Sequence, residues 1–249
     1  MKNSRRAFIS KLGQGGLMLA AQPSLDGLAL QDKIDPKNFT MLFQGDSITD
    51  GNRTRNNDWN HILGHGYMYL IASRLWFDKP EAGYNFINRG ISGNKVSDLA
   101  KRWQTDTLNL KPNLLSILVG VNDTHSVIRN QNPESAEVFE ETYRNLLTET
   151  KKKLPDVVLV LCEPFILPVG MVNQSSDLWY AEIKKRQAIV KKLANEFQTI
   201  FVPFQQCFDK ATEKTPANFW CWDGIHPMPA GHELMARTWI EEVSKKVNI

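Results

Sequence analysis

Phe39-Thr40-Met41-Leu42-Phe43-Gln44-Gly45-Asp46-Ser47-Ile48-Thr49 decides how this chain folds, because an apolar run of strand length stops at a glycine and gives way to a polar turn. A short run closed in this way fits a buried strand. The pattern recurs. Tyr84 to Asn88 is a weaker run that stops at Gly90, Leu114 to Val119 ends at Gly120, Val157 to Leu161 is nearly all β-branched residues and leucine, and Thr199 to Phe204 makes a fifth. Between the runs the apolar period becomes helical: Ile183, Val190, Leu193 and Phe197 share one face, as do Met235, Trp239 and Val243. Strands alternating with such helices predict a doubly wound α/β domain with a mostly parallel sheet of five strands. Ligands in these sheets bind beyond the carboxyl ends of the strands.

Three polar motifs fall where that rule expects a site. Gly45-Asp46-Ser47-Ile48-Thr49 follows the first strand, Gly120-Val121-Asn122-Asp123 the third, and Asp223-Gly224-Ile225-His226 precedes the final helix. A serine hydroxyl is a poor nucleophile near neutral pH and must pass its proton to a base as it attacks. His226 is the candidate base, and Asp223, three residues upstream, can hold its tautomer if the segment makes a single turn. Pro227 pushes His226 away from helical geometry, onto an extended loop. Asn122 supplies an amide donor for a developing oxyanion. Taken singly each motif also reads as an ordinary turn, but their convergence on one rim points to serine esterase chemistry. That chemistry calls for no metal or other cofactor.

These motifs resemble those of the SGNH or GDSL hydrolases, over about residues 39 to 243. The resemblance implies a flavodoxin-like three-layer α/β/α sandwich with Ser47 as nucleophile. It also implies an oxyanion hole made of the backbone N–H of Ser47, the N–H of Gly90 and the Asn122 amide, with Asp223 and His226 completing the triad. Gly-x-Ser-x-Gly is absent, which disfavours an α/β-hydrolase elbow. The strings Ser92-Gly93-Asn94, Arg102-Trp103 and Glu163-Pro164-Phe165 are similar to those of the branch containing bacterial acetyl-xylan esterases, although that branch usually has tryptophan where His125 stands.

The loop after Ser47 carries Asp50, Asn52, Arg53, Arg55, Asn56, Asn57, Asp58, Trp59 and Asn60, and Trp220 and Trp222 lie before His226. Polar groups beside indole faces suit a sugar; the same residues also fit solvated loops and two core tryptophans. His125, just past Asn122, serves either substrate contact or a turn. The candidate substrate contacts are therefore Asp46, Trp103, His125, Trp220 and Trp222, and with the resemblance they favour removal of acetyl groups from plant-type polysaccharides or oligosaccharides. A lysophospholipase or short-chain thioesterase of the same fold is the alternative within the class, and a non-catalytic carbohydrate-binding protein the alternative outside it.

The 249 residues, 42% hydrophobic, suffice for one core, and no linker interrupts the alternation after residue 35, so 35–249 reads as one catalytic domain. Of the formal net charge of +3, Lys2, Arg5, Arg6 and Lys11 against Asp26 account for all, leaving the remainder neutral and giving no sign of nucleic acid binding. Ser4-Arg5-Arg6-Ala7-Phe8-Ile9 resembles a twin-arginine export signal, followed by an apolar stretch too short to span a membrane. Residues 1–30 thus predict export, to the periplasm of a bacterium, and a cytoplasmic protein if the segment is not a signal. Cys162 reads as core, while Cys207 and Cys221 can pair or stay free. His61 and His65 lack the glutamate of a zinc protease and read as loop residues, so no metal site is expected. The expected partner is a small-molecule or oligosaccharide ester; oligomeric state has no signal in the sequence.

Overall fold

A computed structural model describes Ile34 and residues 37–249. The export segment expected at 1–30 lies outside the described residues. In chain order the elements are β1 (Thr40–Gly45), α1 (Ser47–Asp50), α2 (Tyr67–Asp78), β2 (Asn85–Asn88), α3 (Val96–Asp106), β3 (Leu114–Leu118), α4 (Val121–Ile128) and α5 (Ala136–Lys153). They continue with β4 (Val158–Cys162), α6 (Gly170–Asn173), α7 (Ser176–Glu196), β5 (Ile200–Val202), α8 (Phe204–Thr212), α9 (Ala217–Trp220) and α10 (Pro229–Ser244).

All five strands are parallel, in the order β2-β1-β3-β4-β5. This is the flavodoxin-like order, and its topological switch lies between β1 and β3, where the chain departs in opposite directions and leaves a crevice. Gly45 at the end of β1 registers with Leu118 at the end of β3. Ser47 and Asn122 therefore leave the sheet from neighbouring strand ends.

Side-chain alternation along β1 feeds two cores. Met41 and Phe43 pack with Met68 and Ile71 of α2 and Met235 and Trp239 of α10, while Leu42 faces Leu99 and Trp103 of α3 and Phe139 and Leu147 of α5. Helices on both faces explain why β1 is apolar without interruption from Met41 to Phe43. Each such buried side chain contributes roughly 1.5–3 kcal/mol. Gln44 is the polar exception, and it is satisfied: its Nε2 donates to the Asp106 carbonyl and Thr107 Oγ1, and its Oε1 accepts from Arg102. Among the described residues no helix is long and apolar enough to cross a membrane.

Candidate active site

Ser47 is the first residue of α1, directly past β1. A helix start leaves N–H groups unpaired, and Asp46 caps one of them, its Oδ1 accepting from Ile48 N–H at 3.0 Å. The other end of this single turn is held by Asn88, whose amide donates to the carbonyls of Thr49 (2.8 Å) and Leu63 (2.9 Å). The nucleophile candidate thus sits on a short helix braced at both ends.

Ser47 Oγ lies 2.8 Å from His226 Nε2, and His226 Nδ1 lies 2.6 Å from Asp223 Oδ2. The other Asp223 oxygen accepts the N–H groups of Ile225 (2.9 Å) and His226 (2.7 Å), which is the single turn that the three-residue spacing required. With Asp223 ionised, Nδ1 carries the proton and Nε2 is left to accept from the serine. Burial alone would raise the Asp223 carboxyl, yet the hydrogen bonds from His226 and Ile225 hold it below the usual carboxylate range. The Asp223 hydrogen bond, set against burial, raises His226 above the ordinary imidazole value, with Asp46 adding a smaller charge effect.

The glycine expected in the oxyanion hole is corrected by the structure. Gly90 N–H is already donated to Asn88 Oδ1 at 2.9 Å, and its carbonyl accepts from Arg53 Nε at 3.1 Å. A side chain there would run into the Asp50 backbone N, so Gly90 is a glycine because the loop packs against α1. Gly93 differs. Asn94 N–H bonds the Ile91 carbonyl across it, and its φ of +83° makes it the third residue of a type II turn. Its N–H meets no acceptor among the described residues, and it lines a cavity of about 520 Å³ with Asn122, His125, Lys95, Ser97 and Glu134. One Asn122 N–H is anchored on the Asn94 carbonyl at 3.2 Å, which orients the amide and leaves the second N–H unassigned. The only sequence signal for Gly93 was its place in Ser92-Gly93-Asn94.

Two acidic residues support this turn. Asp50, 2% exposed, accepts from Ser92 N–H and Oγ, and Asp123 accepts the Val96 N–H at 3.1 Å. In the sequence alone Asp123 carries no separate role and Asp50 reads as a loop group.

The expected substrate contacts divide. Asp46 is 1% exposed, its Oδ1 caps α1 while its Oδ2 is buried without a hydrogen bond among the described residues, and burial pushes its carboxyl up to about 7. Trp103 is a core residue of α3 whose indole donates to Thr150 Oγ1 at 3.0 Å. Both side chains are buried. Trp220 is half-buried, donates to the Thr215 carbonyl, and lines a cavity with Cys207 and Leu234 on the α8–α10 side. Trp222 is 62% exposed and its ring lies nearly parallel to His226, with centroids 6.2 Å apart. His125 lies within α4, stacks on Trp179 at 5.4 Å, and borders the Gly93–Asn122 cavity. Burial, then Arg129, lowers its pKa. All three cysteines are free, Cys221 Sγ donating to the His226 carbonyl.

A parallel α/β sheet whose rim sets a hydroxyl, an imidazole and a carboxylate in series has the form of an ester hydrolase. Residues 43–234 match the GDSL-like Lipase/Acylhydrolase family, and the chain belongs to that family. It is 32% identical over 209 residues to an acetylxylan esterase from Geobacillus stearothermophilus, covering 82% of this chain and 93% of that protein. The crystal structure of an acetylxylan esterase from that organism superposes with a TM-score of 0.75 at 31% identity, over 84% of this chain and 95% of the other. A GDSL-like lipase from Parabacteroides merdae superposes with a TM-score of 0.81 at 42% identity, over 86% of this chain and all of that one. The protein is accordingly a hydrolase acting on ester bonds.

Proposed function

We propose that this protein is a serine esterase acting through an acyl-enzyme, and that it removes acetyl groups from plant-type polysaccharides or oligosaccharides. The observation that carries the mechanism is the continuous relay of 2.8 and 2.6 Å from Ser47 through His226 to Asp223. Ser47 Oγ attacks the ester carbonyl while His226 Nε2 takes its proton. The oxyanion is received by the N–H groups of Ser47 and Gly93 and by the Asn122 amide. His226 then protonates the departing alcohol, and water repeats the sequence on the acyl-enzyme.

The substrate class has three supports. Similarity to acetylxylan esterase favours an acetylated sugar, and the exposed Trp222 beside His226 offers an indole face at the reacting centre. The neighbouring cavity is walled by Lys95, Ser97, Asn122 and Glu134, which suits a polar ligand better than the long acyl chain of a lysophospholipid. A panel of acetylated xylan and pectin fragments, short thioesters and lysophospholipids, assayed for acid release, tests this. Faster turnover of lysophospholipid than of any acetylated sugar would replace the substrate assignment.

Asn122→Ala is expected to lower kcat by roughly 10²- to 10³-fold with little change in KM, because the donor acts on charge present only near the transition state. A nearly normal kcat with a much higher KM would assign Asn122 to substrate binding.

In this reading residues 35–249 are the catalytic domain and residues 1–30 an export signal that carries it to the periplasm. Replacing Arg5 and Arg6 by lysine should retain the protein in the cytoplasm. Unchanged fractionation would exclude the twin-arginine route.

A further inference from the structure

The loop after α1 and the edge strand β2 enclose a second cavity, of about 390 Å³, whose wall includes Arg53, Arg55, Arg89, Asn56, Asn57 and Trp59. Three arginines line this wall, and of these only Arg55 makes an ion pair among the described residues, a two-pronged contact with Asp50 at 2.7 and 3.1 Å. The Asp50 oxygens also hold Arg53 N–H and Ser92.

Arg53 is 9% exposed, its Nε is spent on the Gly90 carbonyl, and no carboxylate lies within ion-pair distance of it among the described residues. Arg89 also has no carboxylate partner among the described residues, and its Nε is buried without a hydrogen bond. A guanidinium cannot escape this by losing its proton in the physiological range. Burial, reinforced by Arg55, pulls Arg53 down only to about 10, so it stays charged. Asp50 opposes that shift through its charge without pairing with the Arg53 guanidinium, and an anion in the cavity would supply the direct partner that Arg53 and Arg89 lack among the described residues.

We propose that this cavity is a subsite for the carboxylate of a uronate residue, carried on the same acetylated oligosaccharide whose ester is cleaved at Ser47. The guanidinium fork matches a carboxylate, and Asn56 and Asn57 offer amides to hydroxyls. Trp59, 79% exposed, offers a face to the ring. Short connections tie this cavity to the reacting centre. Ser47 and Arg53 are separated only by the single turn of α1 and its exit, and the Gly90 carbonyl that holds Arg53 is followed by Ile91, whose N–H bonds the Gly45 carbonyl. The link to turnover rests on the esterase reading; binding of the acid does not.

Calorimetry on the full chain separates the two. Binding of a deacetylated xylo-oligosaccharide bearing a glucuronate branch is compared with that of the matched neutral oligosaccharide and of inorganic phosphate. The acidic sugar should bind at least about tenfold more tightly than the neutral one, as expected for charge-assisted hydrogen bonds. In Arg89→Gln that ratio should collapse toward one, and Arg89→Lys should restore part of it. Equal binding of acidic and neutral sugars by the parent protein overturns the subsite without reference to any variant. Phosphate binding as tight as the acidic sugar overturns the uronate assignment. Retained discrimination in a protein that cleaves no acetyl ester would sink the acetyl-ester reading and leave the subsite standing.

Discussion

Ser47→Ala is expected to lower kcat for ester hydrolysis by roughly 10⁶-fold, the scale seen when a nucleophile that works as a unit with its base is removed. The loss should be confined to chemistry. Ser47 contributes its hydroxyl to His226 and no other side-chain bond, whereas α1 is capped by Asp46 and braced by Asn88, and neither is touched by the change. Thermal unfolding should therefore be nearly that of the parent. Hydrolysis at a normal rate by a folded variant would remove the nucleophile assignment and the acyl-enzyme with it.

Asp223→Asn should cost about 10⁴-fold in kcat, because an amide facing His226 Nδ1 can turn its N–H toward the ring and stabilise the wrong tautomer. Nε2 would then carry the proton and could not accept one from Ser47. The pH profile supplies a second readout with a definite sign. The working imidazole is neutral, so the rate rises with pH as His226 loses its proton. In the parent that rise should centre above the ordinary imidazole value of about 6.5, since the Asp223 hydrogen bond raises His226. Without the carboxylate, burial acts on His226 with less opposition and the acid limb should move to lower pH. Asp46, itself raised to about 7 by burial, titrates in the same window and remains in the variant, so the limb should shift without losing its sign. An acid limb unmoved by Asp223→Asn would mean that another group sets the imidazole's pKa.

The apolar runs ending at Gly45 and Gly120 carried the strand positions, because burial on both faces of a parallel sheet leaves an almost unbroken hydrophobic signature in the chain itself. The Asp223–His226 turn was equally legible, being a contact between residues three apart that local hydrogen bonds complete. Trp103 and Trp222 show where that legibility stops. Both are tryptophans near a motif, yet one is pinned between α3 and α5 and the other lies open beside His226 on the loop between α9 and α10.

By itself, then, the sequence determined the α/β alternation, the order of the polar motifs along it and the local turn that joins carboxylate to imidazole. Tertiary structure alone decided that Gly90 is a packing residue and that the Gly93 N–H meets no acceptor among the described residues, that Asp46 caps a helix with one carboxyl oxygen, and that Arg53 and Arg89 make no ion pair among the described residues. Each of those outcomes depends on the direction of an N–H or the whereabouts of a carboxylate, and these are fixed by groups brought together through folding: Asn88 against Gly90, Asp50 against Arg55, Asn94 against Asn122. Periodicity encodes which face of an element is buried, whereas a hydrogen bond or ion pair needs two partners at a defined distance and angle, and the fold supplies the second.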